Sequence, residues 1–201
     1  MVNKNNGDSI MRDADLLTES GEELYFRFLA GDNDAFEGLV RMYEDELSRY
    51  LFGVVNDYYE AKHLAIETFS HLVLNSKKFG GQSSLKTYLF AIGKNLALQL
   101  MKKRGREQHL SLEDVMEIQA AEDKTPHIVL EQDENRRILK EAMQTLKDDY
   151  HAVLALIYFE DMSYRQAGRV MGKTEKQIKN LAHRAKLALK KQLETGGYTN
   201  V

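Results

Sequence analysis

The sequence predicts an all-α fold: two small helical domains joined by a flexible acidic linker. Three observations lead there. Apolar residues recur at three- and four-residue steps through most of the chain, the period of one helix face. No run alternates polar and apolar residues as a half-buried strand would. Residues 105–125 lose the helical period and turn acidic, which divides 201 residues into two parts of small-domain size. The predicted organisation is a loose polar extension over 1–20, a first domain over 21–106, the linker over 107–125, a second domain over 126–194 and a flexible tail over 195–201.

The elements follow in order. Gly21 to Ala30 reads as a short amphipathic helix that stops before Gly31-Asp32-Asn33. A longer helix starts near Asp34, with Phe36, Leu39, Val40, Tyr43, Leu47, Tyr50, Leu51 and Val54 on one face, and breaks at Asn56-Asp57. A third carries Ala61, Leu64, Ala65, Phe69 and Leu72 inward. The polar loop Lys77 to Ser84 leads to a fourth, capped by Ser84 and running to about Arg104, with Leu85, Tyr88, Leu89, Ile92, Leu96 and Leu100 inward. Thr125 and Pro126, the only proline, form a good helix start, and that helix would carry Ile128, Val129, Ile138, Leu139, Ala142 and Leu146. Another helix runs from Asp148 to Tyr158.

Composition excludes several classes. With no cysteine, disulfides and thiolate metal sites are out, and no apolar stretch approaches the ~20 residues needed to span a bilayer. The N-terminus lacks the apolar core of a secretion signal. The expectation is a cytoplasmic protein without membrane insertion. The net charge of -3 conceals an alternation. Residues 1–76 hold 6 basic and 15 acidic side chains, and residues 77–106 hold 8 basic and none acidic. Residues 107–135 hold 1 and 9, and residues 136–201 hold 13 and 7. Two basic segments of this kind attract phosphate even in an acidic chain.

The second basic segment has a motif. Ser163 to Gly172, SYRQAGRVMG, reads as a short helix with Ser163 as N-cap and Gly172 as its left-handed end. Lys173 and Thr174 make a tight turn, and Thr174 caps a second helix. Gly168 supplies the small residue that two closely crossing helices require. On the second helix Ile178, Ala182, Ala185, Leu189 and Leu193 form the packed side. Lys176, Lys179, His183, Lys186 and Lys190 form a basic stripe, flanked by Asn180, Arg184 and Lys191. This is a helix-turn-helix whose second helix fits a DNA major groove, its first residues reaching base edges and the rest phosphates. A solvated basic helix would show the stripe too, but not the paired caps and the glycine spacing.

This stretch resembles region 4 of the small RNA polymerase sigma factors, the extracytoplasmic-function group of the sigma-70 family. Tyr164, Val170, Ile178, Lys179, His183, Arg184 and Ala185 match its pattern, as does the leucine-rich opening Leu146 to Leu156. Lys147 stands where proline is usual, and Gly168 where alanine is usual. The first hundred residues are similar to sigma region 2. Ala30 to Glu37 with Leu39 and Tyr43 resemble its opening, and Glu67-Thr68-Phe69 its polymerase-binding helix. Phe79, Gly81, Ser83-Ser84, Thr87-Tyr88-Leu89, Ile92 and Lys94-Asn95 resemble the promoter-melting element. The similarity runs from about residue 21 to 194. Tyr88 replaces the usual tryptophan, and Lys62 and Ile66 are atypical in the docking helix.

The resemblance implies site residues. For the minus-thirty-five element they are Thr174, Glu175, Lys176, Gln177, Lys179, Asn180, His183 and Arg184. For minus-ten recognition and melting they are Phe79, Gly81, Gln82, Ser83, Ser84, Lys86, Tyr88, Lys94 and Asn95, with a loop that would pocket a flipped base. Phe90 adds a third aromatic to that segment, and Tyr88 equally suits a core position, since it falls on the apolar face. For docking on core polymerase they are Glu60, His63, Glu67 and Phe69. The implied partners are core RNA polymerase, promoter DNA and, as is common in the family, an anti-sigma factor, in a bacterial setting. No cofactor, metal or catalytic residue is implied. The histidines at 63, 71, 109, 127, 151 and 183 are scattered, and no phosphate-binding loop or nucleophile motif occurs, so enzymatic activity is not expected. The alternative is a helix-turn-helix regulator that does not bind polymerase. It would need an effector domain in 1–106, where no pocket signature is seen.

Overall fold

The protein is described by a computed structural model over residues 19–111 and 134–195. The predicted linker beyond residue 111, the Thr125-Pro126 helix start with Ile128 and Val129, the first 18 residues and the tail after 195 lie outside the described residues. The described residues form eight α-helices with no strand: α1 (Gly21–Leu29), α2 (Asn33–Val55), α3 (Tyr58–Leu74), α4 (Leu85–Ser111), α5 (Glu134–Gln144), α6 (Asp148–Leu154), α7 (Tyr164–Met171) and α8 (Glu175–Thr195).

Local chemistry sets most boundaries. Ser20 and Glu23 form a reciprocal capping box that starts α1. The Asp32 carboxylate accepts from the N–H groups of Asp34 and Ala35, at 3.1 and 3.3 Å, and starts α2. Asn56, at φ 52°, ends α2 in the left-handed region, and Asp57 then caps α3. The Ser84 hydroxyl accepts from the Thr87 N–H at 3.2 Å at the start of α4. Glu22 adds a cap from a distance: its carboxylate accepts from the Leu85 N–H at 2.6 Å, fixing α1 to the head of α4.

Two boundaries differ from expectation. Helix α4 continues seven residues past Arg104 to Ser111. Loss of an apolar period does not end a helix when the next residues are tolerated in one and no proline intervenes. The helix expected over Asp148 to Tyr158 is regular only to Leu154, and Ala155–Phe159 form one widened turn in which the Glu160 N–H donates to the Ala155 carbonyl at 3.1 Å. That widening leaves Tyr158 and Phe159 exposed and buries Glu160.

Helices α1–α4 pack around Leu24, Leu39, Leu47, Leu51, Leu64, Leu72, Leu85 and Leu89. Helices α5–α8 pack around Met143, Val153, Leu156, Val170, Ile178 and Leu181. The two sets also meet, α2 against α6 and α4 against α7, so that their buried residues join in one apolar cluster. Among the described residues no helix is long and apolar enough to cross a membrane.

Candidate nucleic-acid interface

The helix-turn-helix is built as its sequence suggests. Ser163 and Gln166 form a capping box at α7. Gly172, at φ 64°, ends that helix. A Cβ on Gly168 would lie 2.6 Å from the Lys173 carbonyl oxygen, so glycine is what lets the turn fold back this tightly. The Gln177 carboxamide oxygen accepts from the Thr174 N–H at 2.8 Å, and the Gln177 N–H donates to the Thr174 hydroxyl at 3.3 Å. Thr174 and Gln177 therefore spend their polar groups on starting α8.

The remaining face of α8 is open. Ile178, Leu181, Ala182 and Ala185 are buried, while Glu175, Lys176, Lys179, Asn180, His183 and Arg184 are exposed. Glu175 and Lys179 pair at 2.9 Å, which holds the Glu175 carboxyl below and the Lys179 ammonium above their ordinary pKa values. Lys179 also lies over the Tyr164 ring at 5.8 Å, and Lys186 over Tyr158 at 4.8 Å. Lys176, Asn180, His183 and Arg184 stand near the N-terminal half of α8, where a groove-bound helix meets base edges.

The second basic surface surrounds the loop before α4. Gly81 and Gln82 are exposed, and Ser83 and Ser84 half-buried. Phe79 lies edge-on to Tyr25, with ring centroids 5.4 Å apart, and 5.2 Å from Tyr88. Tyr88 is half-buried, so it packs on the core with one edge while the other faces the loop. Phe90 is fully buried beside Tyr50, with centroids 5.2 Å apart, and belongs to the core rather than to a base-binding surface. Asn95 is exposed. Lys94 is half-buried, and that burial lowers its ammonium pKa against the pull of Asp149. Lys86 is already occupied, lying 2.9 Å from Glu46 and 3.0 Å from Glu160.

The predicted docking residues divide. His63 and Glu67 are exposed on α3. Glu60 pairs with Arg104 at 2.8 Å. Phe69 is 4% exposed and edge-on to Phe36, the inward position that the period of its helix also gives it. Tyr59 and Ile66, neither of them in the predicted docking set, are exposed by 73% and 60% on the helix that presents His63 and Glu67. The atypical Ile66 was the available signal. Among the described residues no group of three or more side chains could hold a metal ion.

Two basic surfaces on an all-helical scaffold, one a helix-turn-helix and one a loop followed by a cation-rich helix, define a nucleic-acid-binding protein. The family model for Sigma-70 region 2 matches residues 39–107, and that for Sigma-70, region 4 matches residues 136–189. The chain belongs to the sigma-70 family, in its extracytoplasmic-function group. It is 27% identical over 160 residues to RNA polymerase sigma factor YlaC of Bacillus subtilis, covering 80% of this chain and 92% of that one. It is 28% identical over 186 residues to the RNA polymerase sigma-H factor of Pseudomonas aeruginosa, covering 89% and 96%. Its fold is similar to that of CnrH, solved in complex with the cytosolic domain of CnrY, with a TM-score of 0.64 at 19% identity over 88% of this chain and 99% of that one. It is also similar to the sigma factor RpoE solved with the anti-sigma factor NepR from Bartonella quintana, with a TM-score of 0.63 at 24% identity over 79% and 96%.

Proposed function

We propose that this chain is an alternative sigma factor that binds core RNA polymerase and directs promoter-specific initiation. One observation carries the reading: both sigma region models match, in order, a single chain whose two basic surfaces fall within them. A regulator acting without polymerase would account for the helix-turn-helix alone.

In this reading residues 21–106 dock on polymerase and melt the minus-ten element, residues 107–125 link, and residues 126–194 read the minus-thirty-five element. Lys176, Asn180, His183 and Arg184 meet the duplex, with Thr174 and Gln177 aiming their helix. Phe79, Tyr88 and the loop Gly81 to Ser84 hold an unstacked base, and Lys86, Lys94 and Asn95 follow the strand. His63 and Glu67, joined by Tyr59 and Ile66, face the polymerase. The protein acts in the cytoplasm as an initiation factor rather than an enzyme, and an anti-sigma factor is the regulatory partner the family implies.

The test is run-off transcription with purified chain, core polymerase and a pool of genomic promoter fragments. Specific initiation that is lost in Lys94→Ala/Asn95→Ala is the expected result. No initiation, with sequence-specific duplex binding by the chain alone, would replace this reading with the regulator.

A further inference from the structure

Glu22 and Tyr25 stand three residues apart on the inward face of α1, and neither belongs to the predicted interface. Each reaches one end of the loop between α3 and α4. The Tyr25 phenol, on a fully buried ring, donates to the Ser76 carbonyl oxygen, in the single tight turn Ser76–Lys78 that opens the loop. Glu22 is half-buried, and its carboxylate accepts from the Leu85 N–H at 2.6 Å, where the loop ends and α4 begins. Between these points Phe79 sits between two phenol rings, edge-on to Tyr25 at 5.4 Å and 5.2 Å from Tyr88. Helix α1 is itself fixed on α2: a Cβ on Gly21 would overlap the Tyr43 phenol, so α1 lies hard against that ring.

The crown of the loop has no such support. A Cβ on Gly80 or Gly81 would meet nothing within 4 Å, and the bond that Arg169 donates to the Gln82 carbonyl is exposed. A binding loop of this kind keeps its shape only as well as the residues behind it hold its ends. Both holds are firm. Burial, with Tyr88 beside it, raises the pKa of the Tyr25 phenol, so it stays a donor. An ionised carboxylate such as that of Glu22 accepts a stronger bond than a neutral oxygen does. We infer that Glu22 and Tyr25 are positioning residues for minus-ten recognition: by pinning Ser76 and Leu85 they fix the width of the loop Gly80 to Ser84, and so decide how sharply it discriminates among unstacked bases. That the loop takes a base rests on the sigma reading; the two-point hold on it does not.

The chain has no tryptophan, so Tyr88→Trp places one emitter beside Phe79. In the full chain without polymerase, adding Glu22→Ala or Tyr25→Phe should move its emission to the red and raise its quenching by acrylamide. Glu22→Gln keeps an acceptor and should leave both at the parent values. Tyr25→Phe retains the buried ring, and circular dichroism checks that each variant is folded. Run-off transcription with core polymerase is then measured with Tyr88 in place, on one promoter carrying each of the four bases in turn at each minus-ten position. Glu22→Ala and Tyr25→Phe should flatten the base preference at one position by about tenfold, within the range that a sub-ångström misplacement costs, and Glu22→Gln should keep it. Unchanged emission and quenching in both Glu22→Ala and Tyr25→Phe overturns the hold. A loosened loop with the base preference intact, or initiation lowered equally on all four bases, overturns the positioning role. A chain that never initiates with core polymerase sinks the sigma reading and the positioning role with it, while the hold is still judged by emission alone.

Discussion

The two basic segments stand in opposite situations. On α8 the cations are held out in solvent by a helix whose first turns bury Ile178, Leu181, Ala182 and Ala185, and their contacts, such as Lys179 with Glu175 and Tyr164, stay within the C-terminal half. On α4 two cations near the loop are drawn into the fold, Lys86 shared by Glu46 and Glu160 and Lys94 half-buried, while Lys102 and Lys103 further along are exposed. The charge of a segment thus measures its capacity for phosphate, while its packing decides whether that capacity is free. The open surface is ready for a duplex as it stands, and the covered one must first lose its internal partners.

Three variants would break or sharpen this contrast. The largest effect is expected from Lys176→Ala with Asn180→Ala on the open helix. Each base-reading side chain is worth about 1–3 kcal/mol, so specific promoter binding by the polymerase complex should fall by roughly a hundredfold. Competition against mixed-sequence duplex measures this, and equal losses on both DNAs would reduce the helix to a phosphate binder. Next comes Lys86→Ala on the covered surface. It strips the counter-ion from Glu160, and urea unfolding of the free chain should show a loss of about 2 kcal/mol. That is less than a fully buried pair would lose, because Lys86 keeps some solvent contact and burial already raises the Glu160 pKa, so the carboxyl can take up a proton. An unchanged unfolding midpoint would mean that Lys86 is as free as the lysines of α8. The smallest is Thr174→Ala, which removes the cap of α8 and should cost about 1 kcal/mol, read as a lower melting temperature with the basic stripe intact.

Local signals were legible in the sequence. Ser84, Ser163 and Thr174 announce their helices because a cap needs only a polar side chain and its neighbours' N–H groups, and Gly168 announces the tight crossing before Lys173. Long-range facts were not. Nothing near Glu160 says that it will meet Lys86 across 74 residues, and nothing near Phe90 says that it will be buried beside Tyr50, whereas Phe69 already falls on the inward period of its helix. The widened turn at Ala155–Phe159 was hidden as well, since its residues continue the apolar period that reads as regular helix. Tyr59 and Ile66 stayed outside the predicted docking set because their exposure depends on what packs around the helix, which the period of one segment does not show.

The meeting of α2 and α6, at Gly53 and His151, also governs how this sequence can drift. Two positions 98 residues apart share one small volume, filled by hydrogen on one side and an imidazole on the other. A larger residue at position 53 is tolerated only alongside a smaller one at position 151, or in a chain that has lost that meeting. Substitutions at the two positions should therefore arrive together, and a lineage in which they vary independently is one whose two halves no longer touch.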